Sequence, residues 1–178
     1  MPDSGRRRIV AANWKMHGSM GMVREYVAQL APVAGVELVV CPPAPFLCAV
    51  QTLLAAQANY VALGSQDVHG LASGAYTGEI SAEMVAESGA RWAIVGHSER
   101  RRYAGETDDQ IAGKIEAAIR AGLQPILCVG ETIEERQNGT AQIVVGRQLK
   151  MIAAWLSKAV WHRLTVAYEP VWAIGTGL

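Results

Sequence analysis

Six short apolar runs, rich in valine, isoleucine and leucine, recur along the chain with helical stretches between them. Most runs are continuous rather than alternating, which is typical of parallel strands covered on both faces. The intervening stretches carry apolar residues three and four apart, the spacing of amphipathic helices. The pattern predicts an α/β fold of six strand–helix units in a single domain spanning residues 1–178. The runs span residues 8–14, 36–42, 60–66, 91–97, 124–130 and 163–169. The clearest helical stretches span residues 19–31, 45–56, 107–122 and 144–160.

Composition narrows the class of protein. Sixteen basic residues balance sixteen acidic ones, so the chain carries no electrostatic footprint for nucleic acid or an anionic membrane. The arginine triplets at 6–8 and 100–102 are expected to be solvated or locally ion-paired. No apolar run approaches membrane-spanning length, and no secretory leader follows the basic start. Two of the three cysteines, Cys41 and Cys128, lie in apolar runs, as is typical of a reducing, cytoplasmic environment.

Polar residues follow four of the predicted strands. Asn13 and Lys15 end the first, His97 to Glu99 the fourth, Glu131 the fifth and Glu169 the sixth. Taken singly, each has an ordinary structural explanation: a surface lysine, a hydrogen-bonded core histidine, a capping or ion-paired glutamate. Functional groups of parallel α/β folds lie beyond the carboxyl ends of the strands, and a barrel would bring all four ends to one mouth.

These residue types suit one kind of chemistry. Lys15 supplies positive charge for an anionic substrate, and Glu169 is a candidate carboxylate base. His97 stands where a helix can begin, with Ser98 as the expected cap, and the helix dipole favours a neutral imidazole there. A base, a neutral donor and a cation fit proton abstraction beside a carbonyl. No cofactor is expected, because nucleotide-binding glycine motifs are missing from the sequence, and the histidines show no metal-ligand spacing.

Six segments of the sequence resemble triosephosphate isomerases. They are AANWKMHG, CPPAPFL, GSQDVHGLASGAYTGEIS, IVGHSERRRYAGETD, PILCVGETIEER and AYEPVWAIGTG, and they occur in the family's order between residues 11 and 177. The resemblance implies a TIM barrel and an isomerase of glycolysis and gluconeogenesis. This family is itself a standard example of a glutamate base working with a neutral histidine and a closing loop.

The resemblance also implies a role for each polar residue. Glu169 would be the base that moves a proton between two carbons of a triose phosphate, and His97 would polarise the carbonyl oxygens. Lys15 would give electrostatic support and help bind the phosphate. Asn13 would hydrogen-bond a substrate oxygen, and Glu99 would be a second polar group beside Lys15.

Three further expectations come from the resemblance. Residues 170–178 would form a lid, with the Gly175 amide donating to the phosphate. Cys128 would pack near the base, and Ser98 would help seat it. Residues 67–79 would form a loop that each subunit of a homodimer inserts beside its neighbour's Lys15, with Thr77 reaching the partner's site.

Two departures from the family pattern affect these expectations. Leu178 stands where the family usually has lysine, which is minor because hinges tolerate varied residues. The family fold has eight strand–helix units, and this chain supplies six. It is expected to lack strands seven and eight with the loops that build most of the phosphate site. The alternative function is therefore a catalytically impaired homologue that acts as an assembly module.

Overall fold

The six predicted strands form one parallel sheet. The computed structural model describes residues 8–57 and 60–174. Within these residues the strands pair in sequence order, β1-β2-β3-β4-β5-β6, and every pairing is parallel. This confirms the α/β class and the arrangement of a partial TIM barrel. The strands are Arg8–Asn13 (β1), Val36–Cys41 (β2), Val61–Ser65 (β3), Trp92–Val95 (β4), Gln124–Val129 (β5) and Thr165–Tyr168 (β6).

Helices follow the strands on the outer layer. The described parts of the chain contain Met20–Gln29 (α1), Leu47–Ala55 (α2), Ala82–Glu87 (α3), Ser98–Tyr103 (α4), Asp108–Arg120 (α5), Ile133–Gln137 (α6), Ala141–Trp155 (α7) and Lys158–Trp161 (α8). Thr107 and Gln110 form the expected capping box of α5. The helix predicted over residues 144–160 is wrong in one respect: it breaks where Leu156 adopts an extended backbone, and Ser157 is the N-cap of the separate helix α8.

Two apolar clusters hold the layers together. The larger lies between the sheet and the helices and includes Val23, Leu63, Ile111 and Ile152. The smaller lines the other face of the sheet, where a barrel interior would be, and consists of Val39, Cys41, Trp92, Ile94, Ile126 and Cys128. The central strands β2 to β5 are buried on both faces toward their carboxyl ends, as their continuous apolar runs predict.

The outer strands β1 and β6 are less covered than the central ones. In the described ranges each of them pairs on one side only. Val10 on β1 is 58% exposed, and Val166 and Tyr168 on β6 are 44% and 53% exposed. A free strand edge presents unpaired N–H and C=O groups and is a site for further pairing. Among the described residues, no helix is both long enough and apolar enough to cross a membrane.

Candidate active site

The carboxyl end of β1 delivers Asn13 and Lys15. Lys15 adopts a φ of 52°, the one positive φ of a non-glycine residue in the described ranges. Such a backbone is uncommon and must be held by its surroundings. The Asn13 Oδ1 accepts the Lys15 N–H at 2.9 Å. The Gln66 amide donates to the carbonyls of Lys15 and Cys41 at 2.9 and 3.0 Å. Sequence reasoning missed Gln66, whose contacts depend on three strand ends meeting.

His97 follows β4 at a sharp turn. Gly96 has a φ of +67°, which a side chain rarely permits, and a Cβ there would meet Ile111 at 2.9 Å. The expected cap, Ser98, is wrong: His97 itself is the N-cap of α4, and its Nδ1 accepts the Glu99 N–H at 3.2 Å. Because Nδ1 is an acceptor, the hydrogen of the neutral ring belongs on Nε2. The imidazole therefore presents an N–H donor toward the mouth of the sheet.

Glu169 meets His97 across the sheet. Its Oε1 lies 2.8 Å from His97 Nε2, and its Oε2 accepts the Ser98 N–H at 3.1 Å. Burial raises the pKa of this carboxyl, but the hydrogen bonds from His97 and Ser98 and the charge of Lys15 outweigh burial, so the pKa is lowered. The side chain is 17% exposed. It is an ionised, hydrogen-bonded and largely desolvated carboxylate.

Lys15 and Glu99 complete the cluster. The Lys15 ammonium lies 2.9 Å from Glu99 Oε1, with side chains 32% and 45% exposed. The second Glu99 oxygen lies 3.6 Å from His97 Nδ1. The structure thus brings five predicted side chains, Asn13, Lys15, His97, Glu99 and Glu169, to one edge of the sheet. Cys128 borders the base as expected; burial, followed by the charge of Glu169, raises the pKa of its thiol.

The arginines after His97 are engaged in ion pairs. Arg101 Nε donates to the Gly96 carbonyl at 2.8 Å, and its Nη1 lies 2.6 Å from the Asp108 carboxylate. Arg100 Nε lies 3.0 Å from Asp67, which also binds the buried Lys114 at 2.6 Å. The predicted local pairing of the 100–102 triplet is confirmed for these two residues. The pairs fix α4, which carries the backbone N–H groups around the base.

Glu131 anchors the segment after Glu169. Its side chain is fully buried, and its Oε1 accepts the Tyr168 hydroxyl at 2.9 Å and the Trp172 indole N–H at 3.0 Å. Arg136 lies over the Trp172 ring, 5.1 Å from its centroid. Burial raises the pKa of Glu131, but the Trp172 and Tyr168 donors lower it overall. The sequence marked Glu131 as a polar strand end without predicting these contacts.

Two further predicted site residues are Gly175 and Thr77. Gly175, the expected phosphate donor, lies outside the described residues, as does Leu178. Thr77 occupies an exposed turn of the 67–79 loop. In the described parts of the chain, no group of three or more His, Cys, Asp or Glu side chains is arranged to hold a metal ion.

The chain is similar to known proteins along nearly its whole length. The sequence model of the family described as triosephosphate isomerase matches residues 8–178. The chain belongs to the triosephosphate isomerase family. A triosephosphate isomerase of Halorhodospira halophila is 51% identical over 173 residues, which is 97% of this chain and 68% of that protein. Those of Thiobacillus denitrificans and Xanthomonas campestris pv. campestris strain 8004 are 50% and 46% identical, each with 97% of this chain and 69% of the relative covered.

Family membership identifies this chain as an isomerase homologue. It spans a little over two thirds of the length of these triosephosphate isomerases. The six strands of the sheet follow the barrel order that the family resemblance implies. The polar cluster at their carboxyl ends lies where barrel enzymes carry their chemistry.

Proposed function

We propose that this chain interconverts dihydroxyacetone phosphate and glyceraldehyde 3-phosphate by cofactor-free proton transfer through an enediolate. The observation that carries the proposal is the contact between Glu169 and the Nε2–H of His97. It pairs an ionised base with a neutral donor at the mouth of a parallel sheet. We further propose that residues 1–178 act as one incomplete barrel domain. An isomerase assay of the purified chain beside its Glu169→Gln variant tests the function.

The reaction divides between the two sides of the substrate carbonyl. The Glu169 carboxylate takes a proton from the carbon beside the carbonyl, and the released electron pair forms the carbon–carbon double bond of the enediolate. Negative charge develops on oxygen, where the His97 Nε2–H donates and the Lys15 ammonium attracts. The proton of the neighbouring hydroxyl passes to the former carbonyl oxygen, with His97 Nε2 placed to relay it, and protonated Glu169 returns its own proton to the neighbouring carbon. Asn13 is proposed to bind a substrate oxygen, and Glu99 to hold Lys15 in place.

The resting contacts prepare the base for this step. While His97 Nε2 and the Ser98 N–H bind the Glu169 carboxylate, they keep it ionised. When substrate enters, His97 must exchange this carboxylate for the substrate oxygen. The carboxylate then gains proton affinity at the moment it becomes the base, because it loses a hydrogen bond that stabilises its charged form.

The pH dependence of Glu169 follows from these contacts. Its pKa in the folded chain lies below the ordinary value of 4.5. Such a carboxylate stabilises the fold fully above its unfolded pKa, and this contribution is lost as pH falls through the folded pKa. We expect the Glu169 carboxylate carbon, followed by NMR, to titrate with a midpoint below pH 4.5. This midpoint should rise in His97→Ala. A midpoint at or above 4.5 in the parent chain would contradict this account.

We also propose a two-fold homodimer through the 67–79 loop. The loop exposes Leu71 and Tyr76 at 50% and 47%, and Met16, after Lys15, is 95% exposed. A groove of about 250 Å³ is lined by Lys15 and Met16 together with Gln66, Asp67, Gly78 and Glu79, among others. Apolar side chains at a loop tip and a groove on the same subunit suit an isologous contact, in which each loop enters the other groove.

A substitution at the loop tip tests this assembly. We expect Thr77→Arg to shift the chain from dimer to monomer in sedimentation velocity at micromolar concentration, because a long cation cannot enter the groove beside Lys15. Thr52→Arg, on the exposed face of α2, is the matched control and should leave the dimer intact. A parent chain that sediments as a monomer at that concentration would refute the proposal.

The alternative, a non-catalytic assembly module, has one observation in its favour. Strands β1 and β6 carry Asn13 and Glu169 at their carboxyl ends, and each pairs on one side only within the described residues. Loose edge strands would leave the catalytic groups imperfectly placed. Activity that disappears in Glu169→Gln would exclude this alternative.

A further inference from the structure

Gln148 occupies an unexpected place in α7. It lies one turn from Val144 and one turn from Ile152, in the stripe that the helix buries. These neighbours are 8% and 0% exposed, and Gln148 is 6% exposed. An apolar side chain is the usual choice there, since burying an amide is unfavourable unless its donors and acceptor are bonded. The position therefore calls for a specific reason to be polar.

The oxygen and the nitrogen of the Gln148 amide both bond to the backbone of one residue, Gly130. Its Oε1 accepts the Gly130 N–H at 3.0 Å, and its Nε2 donates to the Gly130 carbonyl at 3.1 Å. The carbonyls of residues 129 and 131 accept the N–H groups of Glu169 and Val171 on the β6 side. Alternate residues of a strand direct their backbone groups to opposite sides, so the N–H and C=O of Gly130 point away from β6. The strand on that side, β4, ends at Val95 opposite Leu127, so the Gln148 amide makes the hydrogen bonds that a longer β4 would make with Gly130.

Gly130 in turn abuts the backbone of Glu169. A Cβ added to Gly130 would collide with the Glu169 carbonyl oxygen, far inside any permitted contact. The two backbones therefore touch with no side chain between them. A shift of Gly130 toward or away from β6 must move the Glu169 peptide, or open a gap beside it, because packed interiors transmit such displacements.

We propose that Gln148 is a positioning residue for Glu169: by clamping Gly130 it fixes the peptide of Glu169 at the distance that lets the carboxylate meet His97 Nε2 and the Ser98 N–H. The proposal rests on the role assigned to Glu169 above. It makes a buried residue of the outer helix layer part of the support for the chemistry. The path is short: one side chain, one glycine and one peptide group.

A purely structural role would have different consequences. If the amide merely satisfied two backbone groups, its loss would lower stability and leave the folded site unchanged. If it positions Glu169, its loss must also change the carboxylate in molecules that remain folded. The groups that face this carboxylate, His97, Lys15 and the Cys128 thiol, are the same in every variant below, so a change reports a change in position.

The experiment compares Gln148→Met with Gln142→Met in the full 178-residue chain. Both make the same chemical change on α7, but Gln142 is exposed. The readouts are the pH titration of the Glu169 carboxylate carbon by NMR, and kcat and KM of each variant relative to the parent chain. We expect Gln148→Met to raise the Glu169 pKa toward its ordinary value and to lower kcat on the order of tenfold, with KM changed less than about twofold. Gln142→Met should match the parent in both.

Two further results decide the remaining cases. If Gln148→Met does not fold, Gln148→Asn replaces it, because this variant keeps the amide but is one methylene too short to bridge both Gly130 groups; it should show the same shift in the titration. A folded Gln148 variant with an unchanged Glu169 titration would overturn the proposal. A shifted titration with activity independent of Glu169 would support the clamp and refute the proposed function instead.

Discussion

We expect Glu169→Gln to lower turnover by roughly two to four orders of magnitude while leaving KM within a few fold, because a general base contributes about that much to the chemical step. The substitution keeps the size of the side chain and removes the proton acceptor. Its amide can still contact His97 and Ser98, so the fold should be preserved. Steady-state kinetics on purified chain, freed of host isomerase, measures the effect.

A matched surface variant controls for nonspecific damage. Glu116→Gln makes the same change on the exposed face of α5 and should retain parental turnover. The turnover of Glu169→Asp should lie between those of Glu169→Gln and Glu116→Gln. This substitution withdraws the base by one methylene, and a displacement of about 1 Å can lower the rate on the order of a hundredfold. Turnover near the parental value in Glu169→Gln would remove Glu169 from the mechanism.

The second large effect concerns residues 1–178 as an isolated polypeptide. We expect at least about a thousandfold lower isomerase turnover than a triosephosphate isomerase of the full family length. Barrel enzymes commonly bind phosphate with the loops after strands seven and eight. A hydrogen bond to a charged group contributes roughly 1.5–3 kcal/mol, and about 1.4 kcal/mol corresponds to a tenfold change in rate. Two or three such donors account for around two to six orders of magnitude.

This comparison needs a relative of known length beside the chain. The Halorhodospira halophila protein is suitable, since the chain matches 68% of it at 51% identity. Both proteins are assayed under identical conditions, and their masses are confirmed beforehand. If the 178-residue polypeptide turned over within tenfold of the relative, and Glu169→Gln abolished that turnover, six strand–helix units would suffice and the phosphate loops would matter less than argued.

Local patterns predict the parallel strands and the polar residues at their ends, and the family resemblance predicts the sequential order of the sheet. Continuous apolar runs separated by helical stretches specify parallel strands, and parallel strands place their polar termini on one edge. Asn13, Lys15, His97 and Glu169 were found on that basis. The family resemblance then supplied their roles, which the residue types alone left open.

Other features depend on contacts that no local pattern encodes. The positive φ of Lys15 is held by Gln66, which is distant in the sequence and meets it through the sheet register. His97 caps α4 with its ring, a less common choice than the Ser98 hydroxyl that propensity favours. Gln148 lies in an ordinary helical stretch, and its bond to Gly130 is visible only once α7 packs on β5. Tertiary packing decides each of these positions.

Exchange of substrate hydrogen with solvent tests the central claim most directly. The chain is incubated with dihydroxyacetone phosphate in D₂O, and NMR follows the entry of deuterium at the hydroxyl-bearing carbon next to the carbonyl. This signal accumulates even when turnover is slow. The account predicts exchange catalysed by the parent chain and by Glu116→Gln, and none above background with Glu169→Gln. Equal exchange with Glu169→Gln would contradict it, because the proton would then leave the carbon without the proposed base.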